Sequence, residues 1–161
     1  MEALRAIGCT THEYGTGTHE LIGAATGTGP LPIRFDLELR IGSLADFLNP
    51  RSEDDVRGMI QCQGTFSAEG LVHDVPCRGT LDLRLATENR LRYDLRFTGP
   101  DGQDLLFVGE KVNVRLWNLY RTLFTCYGTI YDQSTGEAIS RSTVYFYRSS
   151  PGFVTNLRLT A

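Results

Sequence analysis

The sequence has very little lysine and no long apolar run. Lys111 is the only lysine among 16 basic residues, and the formal net charge is −3. A chain with this charge offers no broad basic field for phosphate backbones. No stretch approaches the roughly 20 apolar residues that a membrane-spanning helix needs. We therefore expect neither a nucleic-acid partner nor a membrane span.

Cysteine is sparse and does not occur in CxxC pairs. The four cysteines can in principle form two disulfides, but a chain of 161 residues is large enough to fold without them. Most of them lie in apolar or alternating stretches, where a free thiol behaves as a small hydrophobe. The simplest compartment is a reducing cytoplasm. The residues concerned are Cys9, Cys62, Cys77 and Cys126.

Familiar catalytic and cofactor motifs are also missing. No GxSxG motif marks a hydrolase nucleophile. The three histidines are dispersed, and no Cys or acidic residues accompany them at metal-ligand spacing. Neither Gly15-Thr16-Gly17 nor Gly27-Thr28-Gly29 lies between a clear strand and a helix, as a dinucleotide fingerprint requires. We expect no metal and no cofactor. His73 beside Asp74 is either an oriented base or part of a surface turn.

What the sequence does contain is alternation. In residues 33–41 and 90–98, apolar side chains occupy every second position, which is typical of half-buried β-strands. Gly99-Pro100-Asp101-Gly102 predicts a turn between hairpin arms. The one helical segment is short: Ser43 caps Leu44 to Leu48, and Asn49-Pro50 ends it. Seven to nine strands are expected in all.

Evenly spaced strands without crossover helices predict an all-β fold. We interpret it as an antiparallel up-and-down β-barrel, calycin/lipocalin-like, with one short helix, because closure removes sheet edges and glycines within strands supply bends. Residues 31–161 would form the barrel. Residues 1–30, rich in Gly and Thr, would be a segment packed on it, with a weak strand or two and much loop.

Candidate site residues follow from the barrel interpretation. Neighbours on a strand point to opposite faces, so either Glu110 or Lys111 enters the interior or its rim, where it can act as an acid or base. The alternative is an exposed pair. Aromatic residues in the second half would line an interior ligand site or simply pack the core. The predicted ligand-binding residues are Tyr93, Phe107, Trp117, Phe124, Tyr127 and Tyr145.

A series of strand and turn motifs carries a family resemblance. They are Gly64-Thr65-Phe66, residues 77–83, residues 91–97, Gly99 to Gly102, residues 109–112 and Leu116-Trp117. In this order they resemble the β-rich accessory domain of some bacterial GMC-type flavin oxidoreductases, the cholesterol oxidase-like enzymes. Glu110 stands where such domains tend to have Phe, and the flavin-binding part has no counterpart. The resemblance implies an accessory domain rather than an oxidase.

Three hypotheses about function follow. The first is a module that binds a hydrophobic small molecule, such as a lipid, sterol or polyketide-like compound, inside the barrel. The second is a cofactor-free cyclase or isomerase acting on such a ligand, with Glu110, Lys111 or a tyrosine moving the proton. The third is a structural or oligomerisation domain with a filled core. The expected macromolecular partners are a second copy of the chain or an oxidoreductase.

Overall fold

The computed structural model describes residues 7–24, 29–49, 58–84, 90–111, 125–146 and 158–160. Within these residues there are nine strands and one helix. They are β1 (Gly8–Leu21), β2 (Leu31–Ile41), α1 (Leu44–Leu48), β3 (Met59–Ala68), β4 (Val72–Arg84), β5 (Arg90–Thr98), β6 (Asp104–Lys111), β7 (Thr125–Asp132), β8 (Ala138–Phe146) and β9 (Arg158–Thr160).

The sheet is a closed antiparallel barrel. Strands β2 to β8 pair with their neighbours in sequence order, and β1 pairs with both β2 and β8 to complete an eight-stranded ring. The first residues of β1, Gly8 to Thr10, pair with β9, and Gly15 to Leu21 pair with β8. The predicted all-β fold, its up-and-down connectivity and its single short helix are confirmed.

Alternation explains why these segments are strands. In β2, Phe35 and Leu37 are fully buried, whereas Arg34 and Asp36, the residues that alternate with them, are exposed. Burying one face of each strand removes apolar area from water at roughly 25 cal/mol per Å². The same period continues through β5 to β8, so that the inward residues form one core.

Glycines allow the wall to bend. A Cβ at Gly64 would overlap the backbone carbonyl oxygen of Asp36, and one at Gly79 would overlap that of Asp94. Both glycines lie opposite an inward-facing partner, at Leu37 and Leu95. Only a residue without a side chain allows the adjacent strands to approach so closely.

The short helix begins and ends as the sequence predicts. The Ser43 side chain accepts a hydrogen bond from the backbone N–H of Asp46 at 3.2 Å, which satisfies one free donor of the first turn. The backbone N–H of Leu44 donates to the carbonyl of Ile7 at 2.9 Å. The helix is thereby tied to the chain just before β1.

The N-terminal segment differs from the prediction. Residues Gly8–Leu21 form one continuous strand of 14 residues in the barrel wall, where a weak strand or two and much loop were expected. After Cys9, its buried positions are glycine, threonine or histidine, so apolar alternation is hard to see in the sequence. Backbone pairing on both edges stabilises the strand instead.

The barrel has two distinct ends. We call the end where β1 begins and β6 stops the Lys111 end. At the other end, the buried ring of His19 accepts a hydrogen bond from the Ser140 hydroxyl at 2.7 Å and donates one to the carbonyl of Glu69 at 3.0 Å. This pair of bonds fixes the turn between β3 and β4 to the inside of β1.

Candidate functional site

A charged and hydrogen-bonded cluster lies inside the barrel at the Lys111 end. The Lys111 Nζ is 3.8 Å from Oε1 of Glu13. The Tyr93 hydroxyl donates a hydrogen bond to Oε2 of the same carboxylate at 2.6 Å. The ammonium also lies over the Phe146 ring, 3.5 Å from its centroid. An amine, a carboxylate and a phenol therefore meet in one place, and we call Glu13, Tyr93 and Lys111 the interior cluster.

The topology brings these residues together from separate parts of the chain. In the eight-stranded ring β1 lies opposite β5, so Glu13 and Tyr93 meet across the interior although 80 residues separate them. Strand β6 pairs with β5 and places Lys111 beside Leu91. All three side chains belong to the inward set of their strands.

The cluster is almost entirely shielded from water. The Tyr93 and Lys111 side chains are buried, and the Glu13 side chain is 18% exposed. The opening of the cluster to solvent is therefore at Glu13. A separation of 3.8 Å between Nζ and Oε1 exceeds hydrogen-bond length, so this ion pair is loose.

Burial sets the electrostatics of the cluster. Desolvation lowers the pKa of the Lys111 ammonium, and the nearby Glu13 carboxylate opposes that shift. Desolvation, followed by the Glu13 charge, raises the pKa of the Tyr93 phenol well above its usual range. Tyr93 is therefore a neutral donor at physiological pH, and the Lys111 amine is deprotonated more readily than an exposed lysine.

Additional polar groups face the interior near the cluster. Thr11 precedes Glu13 by two residues on β1 and shares its inward face. Its hydroxyl oxygen is buried and has no hydrogen-bond partner among the residues that the structure describes. Cys126 is also close, and burial raises the pKa of its thiol to about 12. An unpaired buried hydroxyl costs stability, so it marks a position where a ligand atom can bind.

The middle of the barrel is filled by aromatic rings. The Phe66 ring stacks on Phe97 with centroids 4.4 Å apart, and Phe107 lies 5.4 Å from Phe66 and 5.9 Å from Phe35. Phe35, Phe66 and Phe107 are fully buried. The interior cluster is therefore next to a packed aromatic core, in which Tyr93 lies against Phe35 and Phe146.

Several predicted ligand-binding residues lie elsewhere. Phe107 is a packing residue of this core rather than the wall of a pocket. Tyr127 and Tyr145 are 61% and 49% exposed on the outer face, because Cys126 and Val144 take the inward positions beside them. The interior role predicted for these two tyrosines is wrong. Tyr93 does face the interior, whereas Trp117 and Phe124 lie outside the described residues.

The Glu110–Lys111 pair separates as strand geometry requires. Lys111 is inside, and Glu110 is on the outer wall, with its carboxylate 3.6 Å from Arg90 and 3.8 Å from Arg92. Glu110 therefore cannot serve the interior as an acid or base. Glu13, the carboxylate that does face Lys111, is not among the site residues predicted from the sequence. In β1 the odd-numbered residues face the interior, and this alternation is the sequence signal that could have identified Glu13. The signal is weak because two of the inward positions, Gly15 and Gly17, have no side chain.

The histidines and cysteines form no metal site in the described part of the chain. His19 is structural, and His73 is exposed beside Asp74, whose carboxylate also binds Arg34 and Ser67. His73 is thus on the surface, as the second interpretation expects, but it lies at the start of strand β4 rather than in the turn before it. All four cysteines are free and buried.

The described part of the protein also has two grooves of about 880 and 850 Å³. The first is near the turn that contains Gly70, and the second lies across the outer faces of β5 to β8 and β1. Neither reaches Glu13 or Lys111. The chemically distinctive site of the described residues is the interior cluster.

Comparisons with protein-family models, curated proteins and solved structures find no match to this chain. The resemblance to an oxidoreductase accessory domain therefore stays a prediction. In the described residues, no helix has the length and apolar character needed to cross a membrane.

Proposed function

We propose that the barrel binds a small molecule with an apolar body and one polar group, held at the interior cluster. The observation that carries this proposal is the loose Glu13–Lys111 pair, 3.8 Å apart in a shielded interior. Removing two charges from water is costly unless their hydrogen bonds are completed. A polar ligand atom that contacts Lys111 and the free Thr11 hydroxyl supplies such bonds.

The surroundings of the cluster suit an apolar body. Leu91 lies directly across the strand pair from Lys111, and Leu39 lies across from Thr11. The Phe146 ring covers the ammonium. Ligand sites typically combine such apolar walls with a few polar groups that fix orientation. Lipid, sterol and polyketide-like molecules all have this chemistry.

Thermal unfolding with defined probes tests the proposal. Decan-1-ol presents a flexible apolar tail and cholesterol a rigid body, and each has one hydroxyl. A probe at 100 times its Kd adds about 2.7 kcal/mol of stability. For a chain of this size that corresponds to a rise in Tm of about 5–10 °C. No shift with either probe, together with a ligand-free mass in native mass spectrometry, would contradict binding.

A matched pair of variants locates the site. Lys111→Met removes the interior cation, whereas Arg96→Met removes an exposed cation from the outer face of β5. We expect the first to abolish the probe-induced rise in Tm and the second to leave it unchanged. Equal loss in both variants would place the binding outside the interior cluster.

A second candidate is a cofactor-free isomerase or cyclase. The observation that favours it is the hydrogen bond from the Tyr93 phenol to the Glu13 carboxylate, beside the Lys111 amine. A carboxylate can take a proton from a bound ligand, and the phenol or ammonium can return one. The filled aromatic centre of the barrel favours the third hypothesis, a structural domain, and a negative probe panel would support it.

A further inference from the structure

Lys111 is an unusual choice for an interior cation in this chain. It is the only lysine, and all 15 other basic residues are arginines. Arginine forms two parallel hydrogen bonds with a carboxylate and is the better residue for a purely structural ion pair. Unlike the arginine guanidinium, the lysine ammonium can lose a proton and become a nucleophilic amine.

The geometry around Nζ matches that property. The carboxylate of Glu13 is near enough to exchange a proton with the amine, directly or through one water. Tyr93 donates a hydrogen bond to Oε2 of that carboxylate, and the other oxygen, Oε1, faces Lys111. Among the residues that the structure describes, the charged and titratable groups that face Lys111 are Glu13 on β1, Tyr93 on β5 and Cys126 on β7.

We propose that Lys111 is a nucleophile that captures an apolar aldehyde as a reversible imine. This inference rests on the proposed binding function and names the chemical class of the ligand head. A carboxylate head is disfavoured, because the Glu13 carboxylate 3.8 Å from Nζ would repel it. A carbonyl group is neutral and has an electrophilic carbon.

The reaction balances without a further reagent. Glu13 accepts a proton from the Lys111 ammonium, and the amine lone pair attacks the carbonyl carbon. The C–N bond forms while the C–O π electrons move to oxygen. One nitrogen proton moves to that oxygen, and the proton held by Glu13 converts it to water. Water leaves as the C=N bond forms, and Glu13 becomes the carboxylate counterion of the protonated imine.

The experiment uses the full chain, decanal and sodium cyanoborohydride, which reduces the imine to a stable amine. Intact mass spectrometry counts adducts, and peptide mapping locates them. Among lysine side chains we expect one adduct, at Lys111; the N-terminal amine also reacts with aldehydes, and peptide mapping separates the two sites. The Arg96→Lys variant supplies an exposed lysine on the outer wall of the same molecule. We expect adduct formation at Lys111 to be at least 10-fold faster than at the introduced lysine.

Two further variants test the chemistry. Lys111→Arg keeps the positive charge but has no nucleophilic amine, so the adduct at this position should disappear. Glu13→Gln keeps the shape of the side chain but cannot accept the proton, and we expect at least a 10-fold slower reaction. A rate unchanged in Glu13→Gln, or equal labelling of the introduced lysine and Lys111, would overturn the proposal.

Decan-1-ol separates this proposal from the proposed function, because it can bind but cannot form an imine. If decan-1-ol raises Tm and decanal gives no adduct at Lys111, the imine is refuted and binding stands. If neither compound raises Tm and no adduct forms, both proposals fail. An adduct at Lys111 that decan-1-ol suppresses by competition supports both.

Discussion

The coupling between Glu13 and Lys111 can be measured with a double-mutant cycle. The single variants are Glu13→Gln and Lys111→Met, and the double variant carries both. Lys111→Met leaves a shielded carboxylate without its cation and removes the ammonium from the Phe146 ring. Breaking a buried pair on one side typically costs about 3–5 kcal/mol. The double variant should cost less than the sum of the single ones.

The structure sets the size of the coupling. Two unit charges 3.8 Å apart attract each other by about 4 kcal/mol at an effective dielectric constant near 20. The Glu13 side chain is 18% exposed, so water screens part of this attraction. We therefore expect a coupling energy of about 2 kcal/mol, within the usual range for residues in contact.

The outer wall supplies a control pair of equal length. Arg92 and Glu110 are also 3.8 Å apart, but their side chains are 35% and 37% exposed. The cycle of Arg92→Met and Glu110→Gln should give only about 0.2–1 kcal/mol, as exposed pairs do. Urea unfolding followed by circular dichroism measures both cycles. An interior coupling no larger than that of the control pair would refute the idea that the interior cluster is shielded and electrostatically coupled.

Three other predictions concern the frame around the site. Gly79→Ala should lower the free energy of unfolding in urea by about 3 kcal/mol, because its Cβ would overlap the Asp94 carbonyl. Gly42→Ala, which has open space around it, should have no effect. Equal costs for the two variants would refute the steric argument. Burial lowers the pKa of His19 below its usual 6.5, so the unfolded chain binds a proton at this histidine more readily than the folded protein does. The free energy of unfolding should therefore fall as the pH drops from about 7 to 5. The replacement His19→Gln should flatten that slope, and His12→Gln, on the surface, should not. Buried thiols with raised pKa values should react with iodoacetamide at pH 8 only after unfolding, and rapid labelling of Cys62 or Cys77 in the folded protein would argue against the packed core.

The strands that the sequence predicts best are those with apolar alternation. Arg90–Thr98 matches its predicted bounds, and the helix Leu44–Leu48 matches as well. Strand β4 continues through Pro76, although proline often interrupts a strand. Proline disrupts a strand only where its missing N–H is needed for pairing.

The interior cluster could be predicted only in part. Strand parity requires Glu110 and Lys111 to point to opposite faces, but parity alone does not say which is inside. The choice follows from β6, where Leu105 and Phe107 share the face of Lys111 and enter the core. Tyr127 and Tyr145 show the same limit: aromatic character suggests burial, yet their strands place them outside.

The sequence by itself determined most of the local structure: the strands with apolar alternation, the turn at Gly99 to Gly102 and the helix Leu44–Leu48. These are short-range properties, since they depend on side-chain alternation and on backbone preferences of neighbouring residues. Only the tertiary structure decided that β1 closes the barrel and that Glu13 meets Tyr93 and Lys111. That contact depends on how eight strands curve into a ring, because residues about 80 positions apart face each other only after closure.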